Sequence, residues 1–232
     1  LAEAEARTVR THRLAVLPAG SAPLRILHLS DIHLLPRHRA KQAWLHGLDA
    51  LEPDLVVNTG DNLGHRDAIP AVREALEVFR GVPGVFVHGS NDYFGPTPKN
   101  PAKYFDKDHE RKHGDPLPWQ DLRAAFTERG WLDATHTVRE LEVSGVRVVA
   151  AGVDDPHIER DRYETIAGRP NPLAHLRLGL THSPAETDVL RGECAGCVAH
   201  GGAPRRRVGR PTEGLPSRSP SPYAVVLHHP TP

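Results

Sequence analysis

The chain is short of the features that mark several common protein classes. Its 232 residues include two cysteines, Cys194 and Cys197, too few for a disulfide-built scaffold. Charge of one sign is also missing, since 29 basic residues balance 29 acidic ones. Such a chain has no global field to draw in nucleic acid or an anionic membrane surface. Aromatic residues make up only 5%, which together with the balanced charge argues against a nucleic-acid groove. No apolar run approaches the roughly 18 residues that span a bilayer, and no signal peptide is visible. Neither G-x-G-x-x-G nor G-x-x-x-x-G-K-[ST] occurs, which disfavours a nucleotide- or sugar-binding α/β protein working without metal. The sequence begins at Leu1 rather than methionine. An anchor upstream would make the protein membrane-associated; without one it would be cytoplasmic, and both expectations stand.

What the chain has in number is histidine, sixteen in all, the commonest metal ligand among side chains. Most are read as a solvated surface, and His28 and His65 as local or core residues. The length suits one large α/β domain, or a domain with tails. Residues 1–23 read as an extension, 24–184 as the domain and 185–232 as an atypical tail, poorly ordered from its Gly, Pro, Arg and Ser bias. Apolar patterning predicts strands at 24–30, 55–57 and 85–87, with helices at 39–52 and 67–80 between them. This β-α-β-α-β alternation implies a sheet with a parallel portion and right-handed crossovers. A helix follows at 119–129, then a hairpin turning at Ser144-Gly145, a strand at 176–180 and a short strand at 223–227. The Pro-, Lys- and Asp-rich stretch 95–118 reads as a long surface insertion.

Each predicted strand runs straight into polar residues: Ser30-Asp-Ile-His33, Asn58-Thr-Gly-Asp-Asn62, His88-Gly-Ser-Asn-Asp92, Asp154-Asp-Pro-His157 and Thr181-His182. Open α/β sheets bind ligands at strand carboxyl ends, so these clusters predict one site on one rim. Residues two apart in an extended chain point the same way, which lets Asp31 and His33 converge. With Asp61, Asn91 and His182 they form an oxygen- and nitrogen-donor set without thiolate. That set suits two divalent ions such as Mn, Fe or Zn better than a structural zinc, and Asp61 could bridge them with its two oxygens. Two such ions clamp the attacking and leaving oxygens of a phosphoryl displacement.

The blocks Asp31-Ile-His33, Gly60-Asp61-Asn62, Gly89-Ser-Asn-Asp92 and Thr181-His182, in that order, resemble those of the calcineurin-like metallophosphoesterase superfamily. That family's pattern is D-x-H, GD, GNH[DE], H and GHxH. The resemblance implies an α/β fold, a two-sheet β-sandwich flanked by helices, and a hydrolase acting on a phosphomono- or phosphodiester through a binuclear centre. It assigns Asp31 and His33 to one ion, Asp61 to the bridge, and Asn91 and His182 to the other. In the third block either Asn91 serves as ligand one place late, or Ser90 does and Asn91 replaces the usual histidine. Asn91 and Asp92 are therefore the candidate catalytic residues, Asp92 as an orienting acceptor. No GHxH block follows His182. Ala195-Gly-Cys-Val-Ala-His200 is similar to it, which makes His200 the candidate last ligand. Cys194-Ala-Gly-Cys197 lacks a second half and is read as having no role. Lys99 and Lys103 are candidate phosphate contacts from a lid. The altered blocks also motivate an alternative, a catalytically impaired metal- or phosphate-binding member of the same fold.

Overall fold

The computed structural model describes residues 7–96, 113–168 and 171–183, with the backbone of 197–199 and 224–227. Its first sheet is wholly parallel, in the order β1 (Ile26–Leu29), β2 (Leu55–Asn58), β3 (Gly84–Phe86) and β4 (Leu132–Asp133). The second contains β5 (Thr137–Val143), β6 (Val146–Gly152), β7 (Leu176–Leu180), β8 (Cys197–Ala199) and β9 (Ala224–Leu227) in the order β5-β6-β7-β9-β8. Only the β5–β6 pair in it is antiparallel. Helices α1 (Arg39–His46), α2 (Ile69–Ala75), α3 (Ser90–Tyr93) and α4 (Trp119–Thr127) complete the set.

Side-chain alternation along β2 and β3 builds two cores from one sheet, because successive residues face opposite sides. Leu55, Val57, Val85 and Val87 pack against Val148, Ala150, Leu176, Leu178 and Leu180 of the second sheet. Val56 and Phe86 face the other way and meet Leu45, Val72, Leu76, Leu122 and Phe126 from the helices. Strands buried on both faces read as continuous apolar runs, which is why 55–57 and 85–87 show no polar alternation. Each fully buried side chain of this size contributes about 1.5–3 kcal/mol. The expected sandwich with flanking helices is the observed architecture.

The helices are shorter than their periodicity predicts. The first gives way at Gly47 to a 3₁₀ segment, Gly47–Leu51, which leaves Leu51 exposed instead of on the buried stripe. The second is three pieces, with 3₁₀ turns Arg66–Ala68 and Glu77–Phe79 on either side of α2. Strand β9 lies where a strand was expected, and β8 falls inside the stretch read as a tail. The two-residue β4 is too short to leave a periodic signal. No helix among the described residues is long and apolar enough to cross a membrane.

Candidate metal centre

Parallel pairing puts the carboxyl ends of β1, β2 and β3 on one rim, and the loops that leave them are laced together. Asp31 N donates to Gly60 O at 3.0 Å, His33 N to Asp61 O at 2.9 Å, and Leu34 N to Asn62 O at 2.8 Å. Asp31, His33 and Asp61 all hold positive φ, at 55°, 41° and 57°. Non-glycine residues there carry strain of about 1 kcal/mol or more, and such strain gathers at functional sites. Gly60, at φ 95°, turns the β2 loop, and a Cβ on it would lie 2.1 Å from Gly89 N. A Cβ on Gly89 would lie 2.3 Å from Asp61 Oδ1. Only glycines let the two loops close this far.

Asp61 stands at the centre. Its Oδ2 lies 3.7 Å from His33 Nε2 and 3.3 Å from His182 Nε2, and accepts from Asn91 Nδ2 at 2.6 Å. Its Oδ1 accepts from Asn91 N at 2.8 Å. His33 Nε2 is also 3.6 Å from Asp31 Oδ1. Ligand atoms of Asp31, His33 and Asp61 fall within 4.8 Å of one another. His182 follows β7 and so comes from the second sheet, with its Nδ1 donating to Thr59 O at 2.9 Å, which aims Nε2 at Asp61. Among the described residues the structure thus gathers Asp31, His33, Asp61, Asn91 and His182. Lys99, Lys103 and His200 lie outside the described residues.

Asp92 is placed differently. It is buried, and its carboxylate accepts from the N–H groups of Asp61, Asn62, Leu63 and Gly89 and from Asn62 Nδ2. A carboxylate so saturated faces the backbone of the Asp61 loop and holds it in shape. Asn58 and Asn62 extend the network, with Asn58 Nδ2 donating to Asn62 Oδ1 at 2.7 Å. Sequence reading had the Asn58–Asn62 cluster but no sign of this internal bonding. His28 and His65 do local work: His28 Nε2 meets Thr59 Oγ1 at 2.8 Å, and His65 Nδ1 accepts from Asp67 N.

The electrostatics suit a cation. Burial disfavours the charged form of every group here, yet the Asp61 hydrogen bond and charge push His182 up to about 9. Burial likewise pulls on His33, but the Asp31 hydrogen bond and the Asp61 charge leave it raised. Asp61 is lowered despite its burial by His182, Asn91 and His33. Protons on the two imidazoles therefore balance clustered carboxylates. A divalent ion would do the same with matching oxygen and nitrogen donors, so the residues fit such a group.

A metal must displace those protons. In the metal-free chain His182, raised from 6.5 to about 9, adds stability that is complete below pH 6.5 and lost as pH rises through 9. Affinity for Mn(II) is accordingly expected to fall about tenfold per pH unit below 9 through the His182 proton, and the raised His33 adds to the fall. Calorimetric titrations at pH 7 in buffers of different ionisation enthalpy should show net proton release. Uptake without proton release would contradict the coupling.

The family comparison agrees with a site of this kind. Residues 24–229 match the description of the calcineurin-like phosphoesterases. The chain belongs to the calcineurin-like phosphoesterase family, whose members are hydrolases of phosphate esters that typically bind divalent metals. It is 28% identical over 190 residues to the uncharacterised protein YpbG of Bacillus subtilis, a match covering 79% of this chain and 62% of that protein. The chain thus spans about three-fifths of that relative's length. Among solved structures it is similar to AQ665, a protein of unknown function from Aquifex aeolicus. That match has 14% identity, covers 81% of this chain and 83% of the other, and has a TM-score of 0.33.

Proposed function

We propose that this chain hydrolyses a phosphomono- or phosphodiester with a water activated between two divalent ions, Mn, Fe or Zn. The observation that carries the reading is the position of Asp61, whose carboxylate stands between Asp31 with His33 and Asn91 with His182. Asp31, His33 and Asp61 would hold one ion; Asp61, Asn91 and His182 would hold the other. Ions at these positions would lower the pKa of a bound water and offset charge on the phosphoryl oxygens. The Thr59 carbonyl keeps the His182 ring turned toward Asp61, and Asp92 keeps the Asp61 loop closed. A second reading, metal or phosphate binding with little turnover, is favoured by Ser90-Asn91 in the third block, where no imidazole is supplied.

The test uses the purified chain with p-nitrophenyl phosphate and bis(p-nitrophenyl) phosphate. Hydrolysis is expected to disappear on chelation with EDTA and to return on adding Mn(II), with two metal ions per chain by elemental analysis. Hydrolysis that survives chelation would overturn the reading. Full metal loading with no turnover of either ester would select the second one.

A further inference from the structure

Breaking a phosphate ester leaves a negative oxygen on the departing alcohol, and poor leaving groups need a proton there. His33 and His182 both face Asp61 and belong to the candidate ligand set. Tyr93 donates its hydroxyl to Asp154 Oδ2 at 2.7 Å, and its pKa is raised by burial and by that carboxylate. His136 Nε2 accepts from Asp154 N. His88 is buried among Phe86, Tyr93 and Trp119, and among the described residues one further histidine, His157, closely follows a strand end. Resting on the reading above, we infer that His157, oriented by buried Asp155, is the catalytic residue that protonates the leaving oxygen.

The geometry begins at the end of β6, where the consecutive residues Asp154 and Asp155 turn to different partners. Asp154 goes to Tyr93, while Asp155 Oδ2 accepts from Ser90 N at 2.9 Å. Asp155 is fully buried. Its Oδ1 accepts from His157 N at 2.9 Å and lies 2.9 Å from His157 Nδ1. A carboxylate at that distance fixes the proton on Nδ1 and the ring orientation, as the acid of a catalytic dyad does. The opposite nitrogen, Nε2, has no partner among the described residues, and the side chain is 48% exposed.

Asp155 also ties this histidine to the candidate metal centre. Ser90, held by Asp155, is followed by Asn91, whose N and Nδ2 donate to both oxygens of Asp61. Three consecutive contacts thus lead from His157 to Asp61. The charge on Asp155 also acts on His182. Asp155 therefore does two jobs, fixing the start of α3 and aiming His157.

The step balances without any redox partner. The oxygen of water forms the new bond to phosphorus, and the bond from phosphorus to the ester oxygen breaks. That electron pair leaves with the ester oxygen, which takes the proton from Nε2 of the His157 imidazolium. The water's proton passes to solvent, and His157 is reprotonated from solvent.

The experiment compares two esters that differ in leaving group, p-nitrophenyl phosphate and an alkyl phosphate, on the metal-loaded wild-type chain and on His157→Gln. Nitrophenolate leaves without a proton, while an alkoxide does not. The ratio of alkyl to nitrophenyl kcat is expected to fall on the order of 100-fold in His157→Gln, within the range for loss of a general acid. Asp155→Gln and Asp155→Asn disturb a buried anchor, so a metal-independent readout accompanies the kinetics. Long-range ¹H–¹⁵N spectra of the histidine-labelled wild-type chain should show an Nδ1–H imidazole that is missing in His157→Gln. An unchanged ratio, or no such resonance, would overturn the assignment alone. A wild-type chain that hydrolyses neither ester with metal present would remove the underlying reading, and this assignment with it.

Discussion

Asp61→Ala is expected to lower metal-dependent hydrolysis by at least on the order of 10³-fold, because it removes the carboxylate proposed to bridge the two ions. Elemental analysis should find less than one ion per chain, and the chain should remain folded. The fold expectation follows from what Asp61 touches. Its side chain meets His33, His182 and Asn91, all at the rim and none in either apolar core. Loss of Asp61 also frees His182 from the charge that holds its pKa near 9, so its raised titration should vanish from proton-linked measurements. A variant that keeps both its metal and its rate would show that Asp61 is not the bridge.

Asp92→Ala is expected to act in the opposite order, through the fold first. Removing its carboxylate leaves five buried N–H groups without their acceptor, on Asp61, Asn62, Leu63 and Gly89 and on the Asn62 amide. The cost of stranding such donors around a lost buried charge is about 3–5 kcal/mol. For a chain of this size that is a fall in Tm of about 10 °C, measurable by calorimetry on the metal-free protein. Hydrolysis falls as well, because the loop that presents Asp61 loses its internal frame. Asp92→Asn keeps the shape but turns a donor toward other donors, so it should be intermediate. An unchanged Tm in Asp92→Ala would refute the framing role. The pair of variants separates two kinds of carboxylate: the loss of one is felt first in bound metal, the loss of the other first in Tm.

Much of this was readable in the residues. Asp31, His33, Asp61, Asn91 and His182 stood out because each follows an apolar strand, and parallel pairing carries strand ends to a common rim. The hairpin turn at Ser144-Gly145 was legible from a glycine between two β-like runs, and Gly145 holds φ 77° beside a positive φ of 50° at Ser144. What escaped was the pairing of groups far apart in sequence. Asp155-Pro-His157 reads equally well as a turn, and only its bond to Ser90, 65 residues away, shows that its carboxylate faces the site. His88 looks like a rim residue but is buried, with its ring edge-on to Phe86, Tyr93 and Trp119. The segmented helices escaped for another reason: apolar spacing reports which side faces the core, and a 3₁₀ turn keeps that side while changing the hydrogen bonds.

The strand order of the second sheet also bears on how the chain is assembled. Sheets built from neighbours distant in sequence fold slowly, because loop closure must precede the contacts that reward it. Here β5 and β6 meet across a tight turn, while β7 waits for β9, more than forty residues later. A chain still emerging from the ribosome can close the hairpin at once, and it can lay β7 beside β6 soon after. The far edge of β7 stays bare until residues 224–227 arrive. Because His182 directly follows that strand, a strand made long after it locks in place a residue of the site read first.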